Sequence, residues 1–385
     1  MSTAPDHRLP HPDQALDLLG GLSPARFMRR HWQKKPLLIR QAIPGFQPLL
    51  NRSELFDLAA REGVESRLIV HGTQGWKLRH GPFPRRALPP VKQPRWTLLV
   101  QGVDLHVPVV HELMQRFRFV PDARLDDLMI SWASDGGGVG PHFDSYDVFL
   151  LQASGRRRWR IGRQKDLSLQ PDVPLKILSH FEPEEEHVLE AGDMLYLPPR
   201  WAHDGDAEGA DCMTYSIGFR SPQRGGLAGE LLQRMADEVD DPVLYRDPGQ
   251  EATDRPAEVP AGLHAFAREA LLRLAADEQG MACALGEVLT EPKPATWFDA
   301  PSGDWREAAL VLDRRTRMLY DARHIFINGE SFRAAGADAR LMRELADHRR
   351  LPAKLVQRAS EDARALLQDW FDAGWLHLDH TANAI

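Results

Sequence analysis

Between residues 37 and 219 the apolar positions come in short runs broken by Gly, Pro and Asp. The runs at 98–101, 128–133, 146–152, 158–162, 194–197 and 213–219 are each of strand length and bounded by turn residues, so each is read as a β-strand. Many short strands with no long helix between them predict an antiparallel sandwich or barrel, not a doubly wound α/β sheet. Ahead of this region, residues 14–36 read as two short helices: Ser23 is placed to cap the second, Pro24 suits its first position, and Pro36 ends it. The texture changes after Pro222. Apolar side chains at 227, 231, 232 and 235, and again at 266, 270, 271 and 274, recur with a helical period. The Asp-, Glu- and Pro-rich stretch 240–260 between them reads as a loop. From about residue 300 short strands return, Asn328-Gly329 is a two-residue hairpin signal, and helices at about 337–348 and 360–372 follow in a winged-helix-like order. The pattern divides the chain into 1–222 (N-terminal helices and a mainly β domain), 223–299 (a helical region) and 300–385 (the winged-helix-like unit).

Composition narrows the class. At 385 residues the chain has room for two or three domains of roughly 100 to 200 residues each. With 43% hydrophobic and 27% charged residues it is globular rather than disordered or fibrous. Its longest apolar runs fall far short of the about 20 residues that a membrane span needs, and the first residues lack the apolar stretch of a signal peptide, so a cytoplasmic protein is expected. Two cysteines, Cys212 and Cys283, are then reduced, buried thiols and cannot build a disulfide framework or a Cys-rich zinc site. The net charge of −7 argues against a surface that grips nucleic acid and suits a basic partner.

The sharpest chemical signal is the stretch Gly136-Gly-Gly-Val-Gly-Pro-His142-Phe-Asp144. Residues two apart on a strand share a face, which would present the imidazole and the carboxylate together. With 16 His and 55 acidic residues, chance supplies about two His-x-acid pairs. The chain has four, at 11/13, 142/144, 180/182 and 377/379. Only His142 follows a glycine loop and leads into a strongly apolar run, where a charged pair requires a reason. A third ligand is expected from a distant strand, and His203, just after the run 194–197 and Pro198-Pro199, is placed to supply it. Two His and one carboxylate form the facial triad of non-haem Fe(II) oxygenases, which keeps coordination positions open. The plainer alternative is a strand-end His203 and a satisfied core His142. Gly136–Gly138 lack the Gly-Lys-Ser/Thr that completes a phosphate loop, and Cys212 has no basic neighbourhood that would make it a nucleophile.

The His142/Asp144 motif, the segment Gly192-Asp-Met-Leu-Tyr-Leu-Pro-Pro before His203, the leader Phe27-Met-Arg-Arg-His-Trp-Gln-Lys-Lys-Pro and the run Gly155-Arg-Arg-Arg-Trp-Arg-Ile-Gly together resemble a JmjC-type 2-oxoglutarate oxygenase of the ribosomal oxygenase group. The resemblance implies a double-stranded β-helix of the JmjC/cupin kind, an α-helical dimerisation region and a C-terminal winged helix. It further implies Fe(II) held by His142, Asp144 and His203, 2-oxoglutarate as cosubstrate, a homodimer, and hydroxylation of an arginine side chain (C3) on a large-subunit ribosomal protein. Arg157 aligns with the family's anchor for the far carboxylate of 2-oxoglutarate. Local pattern supports it: Arg157, Trp159 and Ile161 share one strand face, while Arg156, Arg158 and Arg160 take the other. Ser131, the one polar side chain of the strand 128–133 apart from the Trp132 indole, aligns with a cosubstrate-binding hydroxyl and rests mainly on the resemblance. Asp135, at the edge of the glycine loop, is a candidate partner for a substrate guanidinium, with a simple turn residue as the plainer reading. The Glu182, Glu184, Glu185 and Glu186 cluster reads as a solvated face. Histidine hydroxylation and lysine demethylation are alternatives that the same triad serves. A non-enzymatic cupin sensor with a DNA-binding winged helix would need a basic recognition helix, and residues 338–350 and 360–372 mix both signs.

Overall fold

The computed structural model describes residues 9–379; the leader 1–8, on which the signal-peptide reading rests, lies outside the described residues, as do 380–385. The chain divides into two compact units, Met1–Ser221 and Pro222–Ile385. Among the described residues no helix is long and apolar enough to cross a membrane.

The first unit opens on a single 3₁₀ turn (Asp17–Leu19), in place of the first expected helix, followed by α1 (Pro24–Arg30). The Ser23 side chain accepts from the Arg26 N–H, as the sequence predicts for a capped start with Pro at its first position. Then come β1 (Leu37–Ile39), α2 (Arg52–Ala59), β2 (Ser66–Gly72), β3 (Gly75–His80), β4 (Trp96–Val100), α3 (Pro108–Gln115), β5 (Leu125–Ala133), β6 (Asp147–Gly162), β7 (Glu185–Leu189), β8 (Met194–Leu197) and β9 (Ala202–Phe219). These nine strands form one antiparallel array in the order β1-β8-β6-β9-β5-β4-β2-β3, with β7 added on β6.

The long partners β6 and β9 organise it. Their outer halves pair Asp147–Gln152 with residues 214–219, and their inner halves pair 156–162 with 202–208. On its other edge, β6 pairs first with β8 and then with β7. One long strand pair thus runs through both halves of the array, with β8 beside the first half of β6 and β7 beside the second. The shift between halves falls at Gln152–Arg156, where Gly155 has φ +63° and lies so close to Cys212 that a Cβ would stand 2.9 Å from its Cα. Sequence spacing suggested two strands, 146–152 and 158–162; a bulge lets the ladder continue through the polar break as one. Likewise, the strand expected at 213–219 reaches back to Ala202, because the intervening Asp204, Asp206 and Glu208 face the arginines of β6 instead of ending the strand.

Both faces of these strands are covered. Val148, Leu150, Trp159, Ile161, Leu195 and Leu197 meet in one cluster. The alternate residues Phe149, Leu151 and Tyr196 join a larger core with Phe27, Phe46, Leu55 and Phe56 from the N-terminal segments. Strands buried on both sides read as unbroken apolar runs, which is why 148–151 shows no alternation.

The second unit holds α4 (Arg224–Asp237), α5 (Ala261–Ala276) and α6 (Glu278–Thr290), then β10 (Leu310–Leu312), β11 (Met318–Tyr320), β12 (His324–Ile327), β13 (Glu330–Arg333), α7 (Gly336–His348), β14 (Arg350–Leu351), α8 (Ala353–Val356), α9 (Glu361–Asp372) and β15 (Leu376–Leu378). Two three-stranded sheets, β14-β10-β15 and β11-β12-β13, frame a core containing Leu345, Leu367, Trp370 and Phe371. Asn328 and Gly329 join β12 to β13 with φ +47° and +89°, the paired positive angles that a tight hairpin turn demands. Helix α6 went unread in the sequence. It packs on β12 and β13, and the Ser331 hydroxyl donates to Glu287 at 2.6 Å.

Candidate metal centre

His142 and Asp144 do not lie on a strand, contrary to the sequence reading. They sit in the connection before β6, and His142 makes an isolated antiparallel bridge to His203 at the start of β9. The bridge is complete: His142 N–H donates to His203 O at 2.9 Å, and His203 N–H donates to His142 O at 2.8 Å. The third residue comes from a strand remote in the chain, and the bridge makes it a direct neighbour of His142. Asp144 is tied into the same corner because its carbonyl accepts from the Arg200 N–H at 2.7 Å.

The side chains converge. Among the described residues His142, Asp144 and His203 form the one group of three metal-capable side chains, with ligand atoms all within 4.8 Å of one another. His142 Nε2 lies 3.8 Å and His203 Nε2 3.6 Å from Asp144 Oδ2. On their far sides, His142 Nδ1 stands 2.9 Å from the Gly140 carbonyl and His203 Nδ1 2.9 Å from the Trp201 carbonyl. A carbonyl only accepts, so both Nδ1 atoms carry a proton, and in the neutral ring that leaves each Nε2 lone pair turned toward the carboxylate. In that tautomer three Lewis bases face one point. That donor set fits a divalent cation, and the two carbonyls are the outer partners that fix a ligating imidazole. Burial pushes the His203 pKa down to about 4, helped by His142 and opposed by Asp144, so its ring is neutral at physiological pH.

Arg157 is buried at 3% exposure, and its neighbours Arg156, Arg158 and Arg160 are not, as the alternation predicts. Its Nη1 reaches the Gly205 carbonyl at a long 3.5 Å, while Nε and Nη2 have no partner among the described residues. A buried cation with two idle donors needs an anion. The outward arginines have carboxylate partners, which Arg157 lacks: Arg158 pairs with Glu186 and Glu208, and Arg160 with Asp204 and Asp206, although Arg160 Nε also has no partner among the described residues. Glu186 of the acidic cluster is thus a partner in a charged ladder.

Ser131 is buried on β5 opposite Thr214, whose carbonyl lies 3.4 Å from its hydroxyl. The Thr214 hydroxyl in turn donates to Gln152 Oε1 at 2.9 Å, and Gln152 Nε2 reaches Cys212 Sγ at 3.4 Å. Sequence reading missed Gln152 and Thr214, since a polar residue in a strand announces nothing until its register is known. Asp135 is exposed and accepts from the Gly209 N–H at 2.7 Å, a loop-closing bond. Cys212 is fully buried, as expected, whereas Cys283 is only half-buried.

Family models match two parts of the chain: JmjC domain over residues 112–227 and ROXA-like winged helix over 273–377. The ribosomal protein uL16 3-hydroxylase of Escherichia coli is 38% identical over 273 residues, covering 69% of this chain and 71% of that protein. The chain belongs to the ribosomal oxygenase family. A probable ribosomal oxygenase of Haemophilus influenzae is 35% identical across 59% of this chain and 55% of its own length. Among solved structures, that of E. coli YcfD superposes with a TM-score of 0.81 at 31% identity, covering 92% of this chain and 97% of that one. A further structure of YcfD, described as a ribosomal oxygenase in complex with cobalt and 2-oxoglutarate, gives 0.76 with the same identity and coverage.

Proposed function

We propose that the protein is an Fe(II)- and 2-oxoglutarate-dependent dioxygenase that hydroxylates C3 of an arginine side chain on a large-subunit ribosomal protein in the cytoplasm. The observation that carries it is the convergence of two imidazole lone pairs and one carboxylate, with a buried and half-idle guanidinium in the same β6/β9 strip. His142, Asp144 and His203 would hold the iron, and Arg157 the far carboxylate of the cosubstrate. When bound, iron and 2-oxoglutarate supply the oxidising power that places one oxygen atom of dioxygen in a C–H bond, with succinate and carbon dioxide as the other products.

The chain's own residues do the rest. The Nδ1–H bonds to the Gly140 and Trp201 carbonyls hold both rings in the tautomer that can ligate. Arg157 offers two charge-assisted donors to a planar anion, and Ser131, buried on β5, is the candidate cosubstrate-binding hydroxyl. Asp135, exposed at the edge of the glycine loop, is the candidate carboxylate for a basic substrate side chain. The helical region 223–299 is the candidate dimer interface. Leu271 and Leu272 on α5 stand 61% and 60% exposed, and Leu232 on α4 stands 42% exposed, a large apolar surface for a free chain.

Turnover on purified large-subunit ribosomal proteins tests the reading. A gain of one oxygen mass on an arginine, dependent on iron and 2-oxoglutarate, is expected. The gain on a histidine, or loss of methyl from a lysine, would reassign the substrate, and no iron-dependent change on any protein would overturn the reading.

A further inference from the structure

Trp159 lies between the two functional ends of the site. In the β6/β9 ladder Arg157 faces Ala207, Trp159 faces Gly205 and Ile161 faces His203. The indole is 5% exposed, its ring centre 5.8 Å from that of His203, and the Arg157 guanidinium sits 5.6 Å from the ring. Gly205 leaves the space for it: a Cβ there would stand 2.6, 2.7 and 2.8 Å from Cζ3, Cε3 and Cη2 of the indole. Since Gly205 is in an ordinary extended strand, its lack of a side chain serves this close approach and no turn. The same Gly205 carbonyl is the acceptor for Arg157 Nη1. One aromatic ring therefore lies beside the His203 imidazole, beside the Arg157 guanidinium, and against the Gly205 backbone whose carbonyl accepts from Arg157.

We propose that Trp159 is a positioning residue: its ring, seated on the bare backbone of Gly205, sets the spacing between the metal-ligating His203 and the anion-holding Arg157. The proposal rests on the oxygenase reading. It differs from simple core packing, which Trp159 shares with Leu195 in the same cluster, because loss of the ring uncouples two binding functions while loss of Leu195 removes only packing.

The test is calorimetric, on the full chain and without turnover: Co(II) is titrated into the protein, then 2-oxoglutarate into the Co(II)-loaded protein. Trp159→Ala is expected to weaken 2-oxoglutarate about 10- to 100-fold and Co(II) by about 10-fold, the range seen when groups that orient a ligand are removed. Trp159→Phe, which keeps a ring on Gly205, should bind both nearly as wild type does. Gly205→Ala, whose methyl displaces the ring, should reproduce the loss of Trp159→Ala and carries the test if that variant does not fold. Leu195→Ala should melt earlier yet keep both affinities. Wild-type protein that binds neither ligand would sink the oxygenase reading itself. Wild-type affinities in Gly205→Ala, or equal losses in Leu195→Ala, would overturn the positioning role and leave that reading standing.

Discussion

A histidine that spends its Nδ1–H on a carbonyl has only Nε2 left to offer a metal, and protonation of Nε2 in His203 would withdraw one of the three proposed ligands. This makes His203 a source of pH dependence. Its pKa in the fold, about 4, lies below the ordinary 6.5, so the unfolded chain takes up the proton first. Stability of the metal-free protein from this group is full above pH 6.5 and is lost as the pH falls toward 4. Thermal melting should therefore drop across that window, and His203→Gln should flatten this part of the profile; an unchanged profile would refute the assignment. Arg157→Ala should raise the 2-oxoglutarate requirement and leave metal binding nearly intact. Loss of a charged hydrogen-bond partner costs about 1.5–3 kcal/mol, roughly 10- to 150-fold in affinity. Titration of the cosubstrate at fixed Co(II) measures it, and an unchanged curve would remove Arg157 from the site.

At the scale of elements, the site depends on where β6 begins. Asp147, its first residue, is fully buried and accepts from the Tyr196 hydroxyl at 2.6 Å, Gln33 Nε2 at 3.0 Å and Arg124 Nη2 at 3.1 Å. It clasps the segment after α1, the loop before β5 and strand β8 to the start of β6. The Tyr196 hydroxyl is held far above its usual range, first by burial and then by Asp147. Asp147→Ala leaves Tyr196 and Arg124 without their anion, a loss of about 3–5 kcal/mol by analogy with other broken buried pairs. Urea unfolding should show it, and a loss below about 1 kcal/mol would refute the clasp. Asp147→Asn, which keeps an acceptor, should lose less.

At the scale of the molecule, the exposed leucines of α5 decide whether one chain is enough. A two-fold dimer through 223–299 predicts twice 43.5 kDa, near 87 kDa, by light scattering at micromolar concentration. Leu271→Asp combined with Leu272→Asp puts charges into such an interface and should yield monomers that melt close to wild type. Wild-type protein near 43.5 kDa would end the dimer proposal.

The identities of the three converging side chains, the buried face of Arg157, the hairpin at Asn328-Gly329 and the change from strands to helices at Pro222 were all legible in the chain, because each is a local pattern: a motif, a period of two, a turn pair, a period of 3.6. What the sequence could not supply was pairing. That β6 and β9 run unbroken through their polar middles depends on Asp204, Asp206 and Glu208 meeting arginines across the ladder. That His142 lies in a connection and bridges directly to His203 is likewise decided by register. The place of Trp159 over Gly205 is of the same kind. Each of these contacts joins residues some 45 to 60 positions apart, and no local periodicity carries information over that distance. The chemistry was written residue by residue, but only closure of the ladder determined which residues could share one point in space.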